Sequence, residues 1–173
     1  PWFEKLGVSR LAGPIFTHSL QDAANGGAVL GTIFNQGFGA AEAEFVYRIG
    51  TAPKTGQTEF SNEDAADMVD AVFCGFEIAS SPFAGINALG PLVTISDFGN
   101  NNGLLLGPEI PDWKNSGIEE CDVSTLIDGV AVGSFAQQVD FVLIEHLIER
   151  PRALAAFQHP EGGIVGQRFH QPI

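Results

Sequence analysis

The sequence has little positive charge. Only 8 lysines and arginines stand against 21 aspartates and glutamates among 173 residues, which gives a formal net charge of -13. Such a chain repels a phosphate backbone and offers no polybasic segment to anionic lipid. We therefore expect neither nucleic acid nor a membrane surface among its partners.

Long apolar runs are also missing. No stretch approaches the ~20 residues of a membrane-spanning helix. The first residues, Pro1 to Lys5, lack the basic and apolar regions of a signal peptide. We expect a soluble protein of the cytoplasm.

Cysteine is scarce, and several common motifs are absent. Cys74 and Cys121 are the two cysteines, with no C-x-x-C spacing, which argues against a disulfide framework or a zinc site. The four histidines show no metal-ligand spacing among themselves; they are His18, His146, His159 and His170. There is no G-x-S-x-G, Walker loop, H-E-x-x-H, or G-x-G-x-x-G before a helix, which excludes the commonest hydrolase, nucleotide-binding and zinc-protease classes.

The sequence contains enough apolar residues to form a hydrophobic core. With 173 residues, 45% of them hydrophobic, the chain favours one domain. The 21 glycines are spread throughout, as is typical of many turns between short strands. The pattern predicts a strand-rich chain with two helices, either α+β or mostly β.

Two segments have helical spacing. Ser61 is a candidate N-cap with Asp64 three residues later, and a stripe of apolar residues continues the helix to Glu77; the stripe consists of Ala65, Met68, Val69, Val72, Phe73 and Phe76. A second helix is predicted from Gln137 to Arg150, where Pro151 stops it.

Strands are predicted where β-branched and aromatic residues cluster between turn residues. The segments are Phe45 to Ile49, Pro91 to Ser96, Gly103 to Leu106, and Val123 to Val132 with a hairpin signal at Asp128-Gly129.

Three carboxylates are the most informative residues. Glu42 and Glu44 are separated by one residue at the entrance to a strand, so both side chains point to the same face. The repulsion between their charges is costly unless a cation, a positive side chain or a proton intervenes. Glu77 follows in an apolar context, where an unpaired carboxylate is expensive to bury. This all-oxygen set suits Mg²⁺ or Mn²⁺. The alternative is a solvated Glu-x-Glu pair at a strand edge.

The polar segment from Ser96 to Gly103 has two interpretations. Such a loop can bring a carboxylate and amides, in particular Asp97 and Asn101, to a substrate pocket. It is equally a turn whose Asn and Gly residues accept left-handed backbone angles.

The order of these segments resembles a known family. It is similar to the 2-keto-4-pentenoate hydratase branch of the fumarylacetoacetate hydrolase superfamily. The segments that carry the resemblance are Glu42-Ala43-Glu44-Phe45, then Phe76-Glu77-Ile78, then Asp97 with Gly107 ten residues later. The resemblance covers roughly residues 6 to 148.

The resemblance implies an α+β fold like the C-terminal domain of fumarylacetoacetase, with a rolled mixed β-sheet and a few flanking helices. It also implies a Mg²⁺ or Mn²⁺ site at Glu42, Glu44 and Glu77, a homo-oligomer, and a small 2-oxo or 2-hydroxydienoic acid as substrate. The typical reaction hydrates 2-hydroxypenta-2,4-dienoate to 4-hydroxy-2-oxopentanoate in aromatic catabolism. A 2-oxo acid decarboxylase, a C–C hydrolase and a catalytically silent binding subunit remain alternatives.

Three family elements differ or are missing in residues 1–173. The family's lysine segment G-x-K-x-G would lie before Pro1. A Pro-Asp-aromatic-Gly element is replaced by Leu11-Ala12-Gly13. The family's C-terminal strand, Gly-Asp-x-Val-x-x-Gly, is matched only weakly from Gly162 to Gln167. We therefore expect one metal-binding, catalytic-type domain over residues 1–173 that lacks an N-terminal segment of the family. The general acid and base stay unassigned.

Overall fold

A computed structural model describes residue 7 and residues 12–25, 28–118, 120–127, 130–138, 154–156 and 167–170, with side chains described up to residue 118. Eight strands and two short α-helices make up most of this structure, and single turns of 3-10 helix connect some of them. The strands are β1 (Leu20–Asp22), β2 (Phe38–Ile49), β3 (Val69–Ser81), β4 (Asn101–Glu109), β5 (Glu120–Ile127), β6 (Val130–Gln138), β7 (Leu154–Ala156) and β8 (Gln167–His170). The helices are α1 (Asn62–Met68) and α2 (Pro91–Ser96).

The larger sheet has five strands in the order β1-β4-β3-β2-β7. β1 runs parallel to β4, and every other neighbouring pair is antiparallel, so the sheet is mixed. β2 and β3 are the longest strands, with 12 and 13 residues, and they pair along almost their whole length. The predicted α+β class with a mixed sheet is confirmed.

A second sheet has three antiparallel strands in the order β6-β5-β8. Ile127 at the end of β5 pairs with Val130 at the start of β6, which leaves a two-residue connection between them. The hairpin predicted at Asp128-Gly129 is therefore confirmed by the strands on either side, although these two residues lie outside the described ones.

The main apolar cluster lies on one face of the larger sheet. Side chains alternate across a strand, and Phe45 and Tyr47 on β2 share a face with Val72 on β3 in this cluster. Ile110 and Ile118, after β4, complete it together with Val69. Because Glu42 and Glu44 lie at the intervening positions of β2, their side chains belong to the opposite face.

The first predicted helix is correct only at its beginning. Ser61 accepts a hydrogen bond from the Asp64 amide at 3.1 Å, and the Asp64 carboxylate accepts one from the Ser61 amide at 3.1 Å, which is a complete capping box. The helix ends at Met68, however, and residues from Val69 onward form strand β3. The prediction of a helix to Glu77 was wrong. β3 is an interior strand of the sheet, paired with β2 and β4, and most of its residues are buried, so its apolar residues form a nearly continuous run that periodicity alone does not distinguish from a helix.

The strand predicted from Pro91 to Ser96 was also wrong, since these residues form α2. Pro91 occupies the first turn of the helix, where its fixed φ is favourable and its missing amide is not needed. The polar segment after it therefore joins a helix to β4, not two strands. The predicted strand from Gly103 to Leu106 is confirmed within β4.

The second predicted helix differs at its start. Gln137 and Gln138 belong to β6, and residues 139–150 lie outside the described part of the chain. None of the described helices is long and apolar enough to cross a membrane.

Candidate metal centre

β2 carries two of the three carboxylates. Glu42 and Glu44 both lie within this strand, two residues apart, so the pleat directs them to the same face, as the sequence predicted. The strand is longer than predicted, because it begins at Phe38 and not at Phe45. The pair therefore lies in the interior of a strand and not at its edge.

β3 places the third carboxylate directly opposite the first. Glu77 is the cross-strand partner of Glu42, and Gly75 is the partner of Glu44. One carboxylate oxygen from each of Glu42, Glu44 and Glu77 lies within 4.8 Å of the others. The three residues thus form one cluster, which we call the carboxylate trio, and Glu77 reaches it through strand register rather than at the end of a helix.

Gly75 lies opposite Glu44 in a closely packed part of the sheet. A Cβ atom built on Gly75 would clash with the side chain of Val46 and would lie 3.5 Å from the Cβ of Glu44. Sequence reasoning did not single out this residue, although a glycine inside a strand is a known sign of close approach.

All three carboxylates are buried, with exposed fractions of 7% for Glu42, 3% for Glu44 and 5% for Glu77. This burial contradicts the alternative of a solvated Glu-x-Glu pair. Burial raises the pKa of Glu77 from its ordinary value of 4.5 to about 7, the hydrogen bond from Asn101 opposes this shift, and the charge of Glu42 adds to it. The trio is therefore an environment in which a third negative charge is costly without a counterion.

Asn101 contacts the trio from β4. Its Nδ2 donates a hydrogen bond to Oε1 of Glu77 at 2.9 Å. β4 pairs Gly103 with Ile78 and Asn101 with Ala79, so Asn102 is an extra residue in a β-bulge. Leu104 is the direct partner of Glu77 on β4. The bulge makes Asn101, and not Asn102, the partner of Ala79, which lies two residues from Glu77 on the same face of β3, and from there the Asn101 amide reaches Glu77. The predicted substrate-binding role of Asn101 stays a prediction, and its contact with Glu77 was not foreseen.

The segment before Asn101 contains a run of left-handed residues. Phe98, Gly99 and Asn100 have φ values of 53°, 74° and 58°. Asn100 is 1% exposed, and its Nδ2 donates to Oδ1 of Asn87 at 3.4 Å. This confirms the turn interpretation of the polar segment.

Asp97 is half-buried at the end of α2, where its carbonyl oxygen accepts a hydrogen bond from the Asn100 amide at 2.8 Å. Its carboxylate is not a member of the trio. The predicted role of Asp97 in substrate binding stays a prediction.

An open cavity of about 320 Å³ lies beside the bulge and is lined by His18, Ser19, Gln21, Thr32, Ile33, Phe34 and Asn102. His18 is the one histidine among these lining residues. None of the three carboxylates lines this cavity.

The trio fits a hard divalent cation. Its donors are all oxygens, they are close enough to share one ion, and their mutual repulsion and burial are the costs that a cation removes. Three protein oxygens also leave part of an octahedral shell for water or an exchangeable ligand.

The fold is shared with known enzyme structures. The chain superposes on 4-oxalocrotonate decarboxylase from Pseudomonas putida G7 complexed with calcium and acetate, with a TM-score of 0.56 and 14% sequence identity over 78% of this chain. A second structure of that enzyme, complexed with magnesium and adipate, gives a TM-score of 0.54 and 16% identity over 78% of this chain. No protein-family model and no curated protein sequence matches the chain.

The chain spans about half the length of these solved structures, 48% and 49% respectively. At such low identity, the similarity establishes the fold alone. That fold agrees with the predicted α+β fold, which is like the C-terminal domain of fumarylacetoacetase.

Proposed function

We propose that this chain binds one Mg²⁺ or Mn²⁺ ion at Glu42, Glu44 and Glu77 and belongs to a metal-dependent lyase that acts on a small 2-oxo or 2-hydroxydienoic acid. The observation that carries this proposal is the trio itself, three buried carboxylates whose oxygens lie within 4.8 Å of one another. Three buried negative charges are retained at one place in a fold only at a considerable cost in free energy, which a bound cation offsets.

The chain's own residues hold and orient the ion. β2 and β3 are paired along their lengths, so the positions of the three carboxylates are fixed by backbone hydrogen bonds and not by flexible loops. Asn101 orients Glu77 through its amide. When bound, the divalent cation would act as a Lewis acid that stabilises negative charge on the oxygens of a 2-oxo acid.

The reaction that we favour is hydration of 2-hydroxypenta-2,4-dienoate, because the segments around the trio resemble the hydratase branch. Decarboxylation of a 2-oxo acid is the second candidate, since the structures that share the fold are those of 4-oxalocrotonate decarboxylase. We place the protein in aromatic catabolism in the cytoplasm and expect a homo-oligomer. These assignments follow the resemblance, as does the proposed contact of Asp97 and Asn101 with substrate.

Isothermal titration with Mn²⁺ tests the metal site. We expect one ion per chain in the wild type and at least a tenfold loss of affinity in Glu44→Gln, which removes a charged donor and keeps the side-chain shape. Glu59→Gln is the matched control, because it makes the same chemical change at an exposed carboxylate. An unchanged Mn²⁺ affinity in Glu44→Gln would exclude the trio as the metal site.

Product analysis by NMR separates the reactions. Formation of 4-hydroxy-2-oxopentanoate from 2-hydroxypenta-2,4-dienoate supports the hydratase, whereas release of CO₂ from 4-oxalocrotonate supports the decarboxylase. Metal binding by the chain with no turnover of either acid contradicts catalysis by these 173 residues and favours a binding subunit.

A further inference from the structure

Asn101 has a structural setting that an ordinary surface asparagine lacks. Its amide donates to Oε1 of Glu77 at 2.9 Å, and this is a contact between two neighbouring strands at the centre of the sheet. This hydrogen bond occupies one of the two lone pairs of Oε1, whereas Oε2 accepts no hydrogen bond from Asn101. Oε2 is then the oxygen of Glu77 that is best placed to act as a ligand.

The backbone around Asn101 is shaped to keep this contact. The bulge at Asn102 pairs Asn101 with Ala79, two residues from Glu77 on the same face of β3. The three preceding residues are left-handed, which is an unfavourable conformation for Phe98 and requires support from its surroundings. Burial of Asn100 and its contact with Asn87 supply part of that support. The backbone at Asn101 is therefore held by its surroundings, at a position from which the side-chain amide reaches Glu77.

Fixing the carboxylate of Glu77 has a consequence for the choice of cation. Mg²⁺ requires a compact shell of six oxygens and is served by carboxylates that each contribute one oxygen, whereas Ca²⁺ accepts six to eight oxygens and often takes both oxygens of a carboxylate. The hydrogen bond from Asn101 to Oε1 of Glu77 hinders coordination through both oxygens. It therefore favours Mg²⁺, the smaller cation, over Ca²⁺.

We propose that Asn101 is a positioning residue that restrains Glu77 to one-oxygen coordination and thereby makes the site prefer Mg²⁺ or Mn²⁺ over Ca²⁺. This inference rests on the proposed metal site, and it names the residue that makes the site select between cations. It assigns to Asn101 an effect on the metal that is separate from any contact with substrate.

The experiment compares Mn²⁺ affinity, measured by electron paramagnetic resonance of the free ion, with Ca²⁺ affinity, measured by competition against Mn²⁺. Asn101→Leu removes the amide with little change in size. We expect Mn²⁺ affinity to fall about 10- to 100-fold, as for other residues that orient metal ligands, and Ca²⁺ affinity to fall less, so that the ratio of the two shifts toward Ca²⁺. Asn101→Ser, which is smaller and easier to accommodate, should shift the ratio in the same direction.

Asn102→Leu is the matched control. Asn102 is the next residue in the same bulge, and its Nδ2 donates to the carbonyl oxygen of Thr32 at 2.6 Å rather than to the trio. This variant should keep the wild-type ratio of Mn²⁺ to Ca²⁺ affinity.

Two results would overturn the inference. If the wild type binds Mn²⁺ and both Asn101 variants keep its ratio of affinities, Asn101 does not set selectivity, and the metal site stands without it. If the folded wild type binds no Mn²⁺, the proposed metal site fails and the inference fails with it, which is a distinct result.

Discussion

Glu42 on β2 lies directly opposite Glu77 on β3, and both side chains are at least nine-tenths buried. Like charges at directly opposed positions of a sheet destabilise it. The pair therefore lowers the stability of the ion-free fold unless one member is neutralised by a proton or by a cation, which can be a metal ion or a positive side chain. Both forms of neutralisation lead to measurable predictions.

The stability of the ion-free protein should decrease with rising pH because of Glu77. Its pKa is raised from 4.5 to about 7 in the folded state, so the folded chain binds more protons than the unfolded chain between these values. Stability from this group is complete below pH 4.5 and is lost as the pH rises through 7. The size of the effect is on the order of 3 kcal/mol, since each unit by which the pKa is raised corresponds to about 1.36 kcal/mol.

Urea unfolding in EDTA at pH 5 and pH 8 measures this effect. Glu77→Gln cannot ionise, so we expect its free energy of unfolding to change less between the two pH values than that of the wild type. Glu59→Gln, at an exposed carboxylate, should behave like the wild type. Equal pH dependence in wild type and Glu77→Gln would show that Glu77 titrates normally in the folded protein.

Cation binding should release a proton from Glu77. With a pKa of about 7, this carboxyl is about half protonated at pH 7 in the ion-free protein, and a metal ligand must be deprotonated. We expect release of about half a proton per Mn²⁺ at pH 7 and much less at pH 8.5. Titration calorimetry in two buffers with different ionisation enthalpies gives this number directly.

Glu77→Gln again provides the comparison. Any proton that it releases must come from another group, so a release equal to that of the wild type would assign the proton elsewhere. Glu44→Gln keeps Glu77 and removes another donor, and it should bind weakly while still releasing a proton from Glu77.

The start of α1 offers a prediction that concerns the fold and not the site. Ser61→Ala removes the side-chain acceptor of the capping box and should lower the free energy of unfolding by about 1 kcal/mol. Because α1 carries no member of the trio, Mn²⁺ affinity should not change. Thermal unfolding and Mn²⁺ titration of the same sample distinguish the two effects, and a parallel loss of affinity would mean that α1 supports the site.

The capping box and the orientation of Glu42 and Glu44 could be predicted because they depend on residues close together in the sequence. Ser61 and Asp64 satisfy each other within one helical turn, and the alternation of a strand places Glu42 and Glu44 on the same face whatever surrounds them. The composition of the trio also followed from the order of segments that resembles the hydratase branch.

The route by which Glu77 reaches the trio could not be predicted in the same way. Val69, Val72 and Phe76 match helical spacing, but the same residues also suit a strand that is buried on both faces, and local spacing does not separate the two. The pairing of β3 with β2 and β4 decides between them, and it depends on residues up to 43 positions apart in the sequence, such as Phe38 and Ser81. The contact between Asn101 and Glu77 depends on the register of a bulge, which no local pattern specifies.

Gly75 links the packing of the sheet to the site and provides the last prediction. In Gly75→Ala, the new Cβ overlaps the side chain of Val46, which is fully buried and β-branched and so cannot turn aside. We expect a destabilisation of about 1–3 kcal/mol from overpacking. Val46 lies two residues after Glu44 on the same face of β2, so relief of the overlap displaces the strand that carries Glu44, and Mn²⁺ affinity should fall as well.

The double variant Gly75→Ala/Val46→Ala tests whether this contact is the cause. Removing the Val46 methyl groups relieves the overlap, so the double variant should be more stable than the sum of the single effects predicts, with a coupling of about 0.5–3 kcal/mol. Gly39→Ala is the matched control, because its Cβ would meet Ile33 at an ordinary distance of 3.4 Å. Additive single effects would mean that the overlap with Val46 is not the cause of the destabilisation. An equal loss in Gly39→Ala would mean that the loss does not depend on the close packing at Gly75.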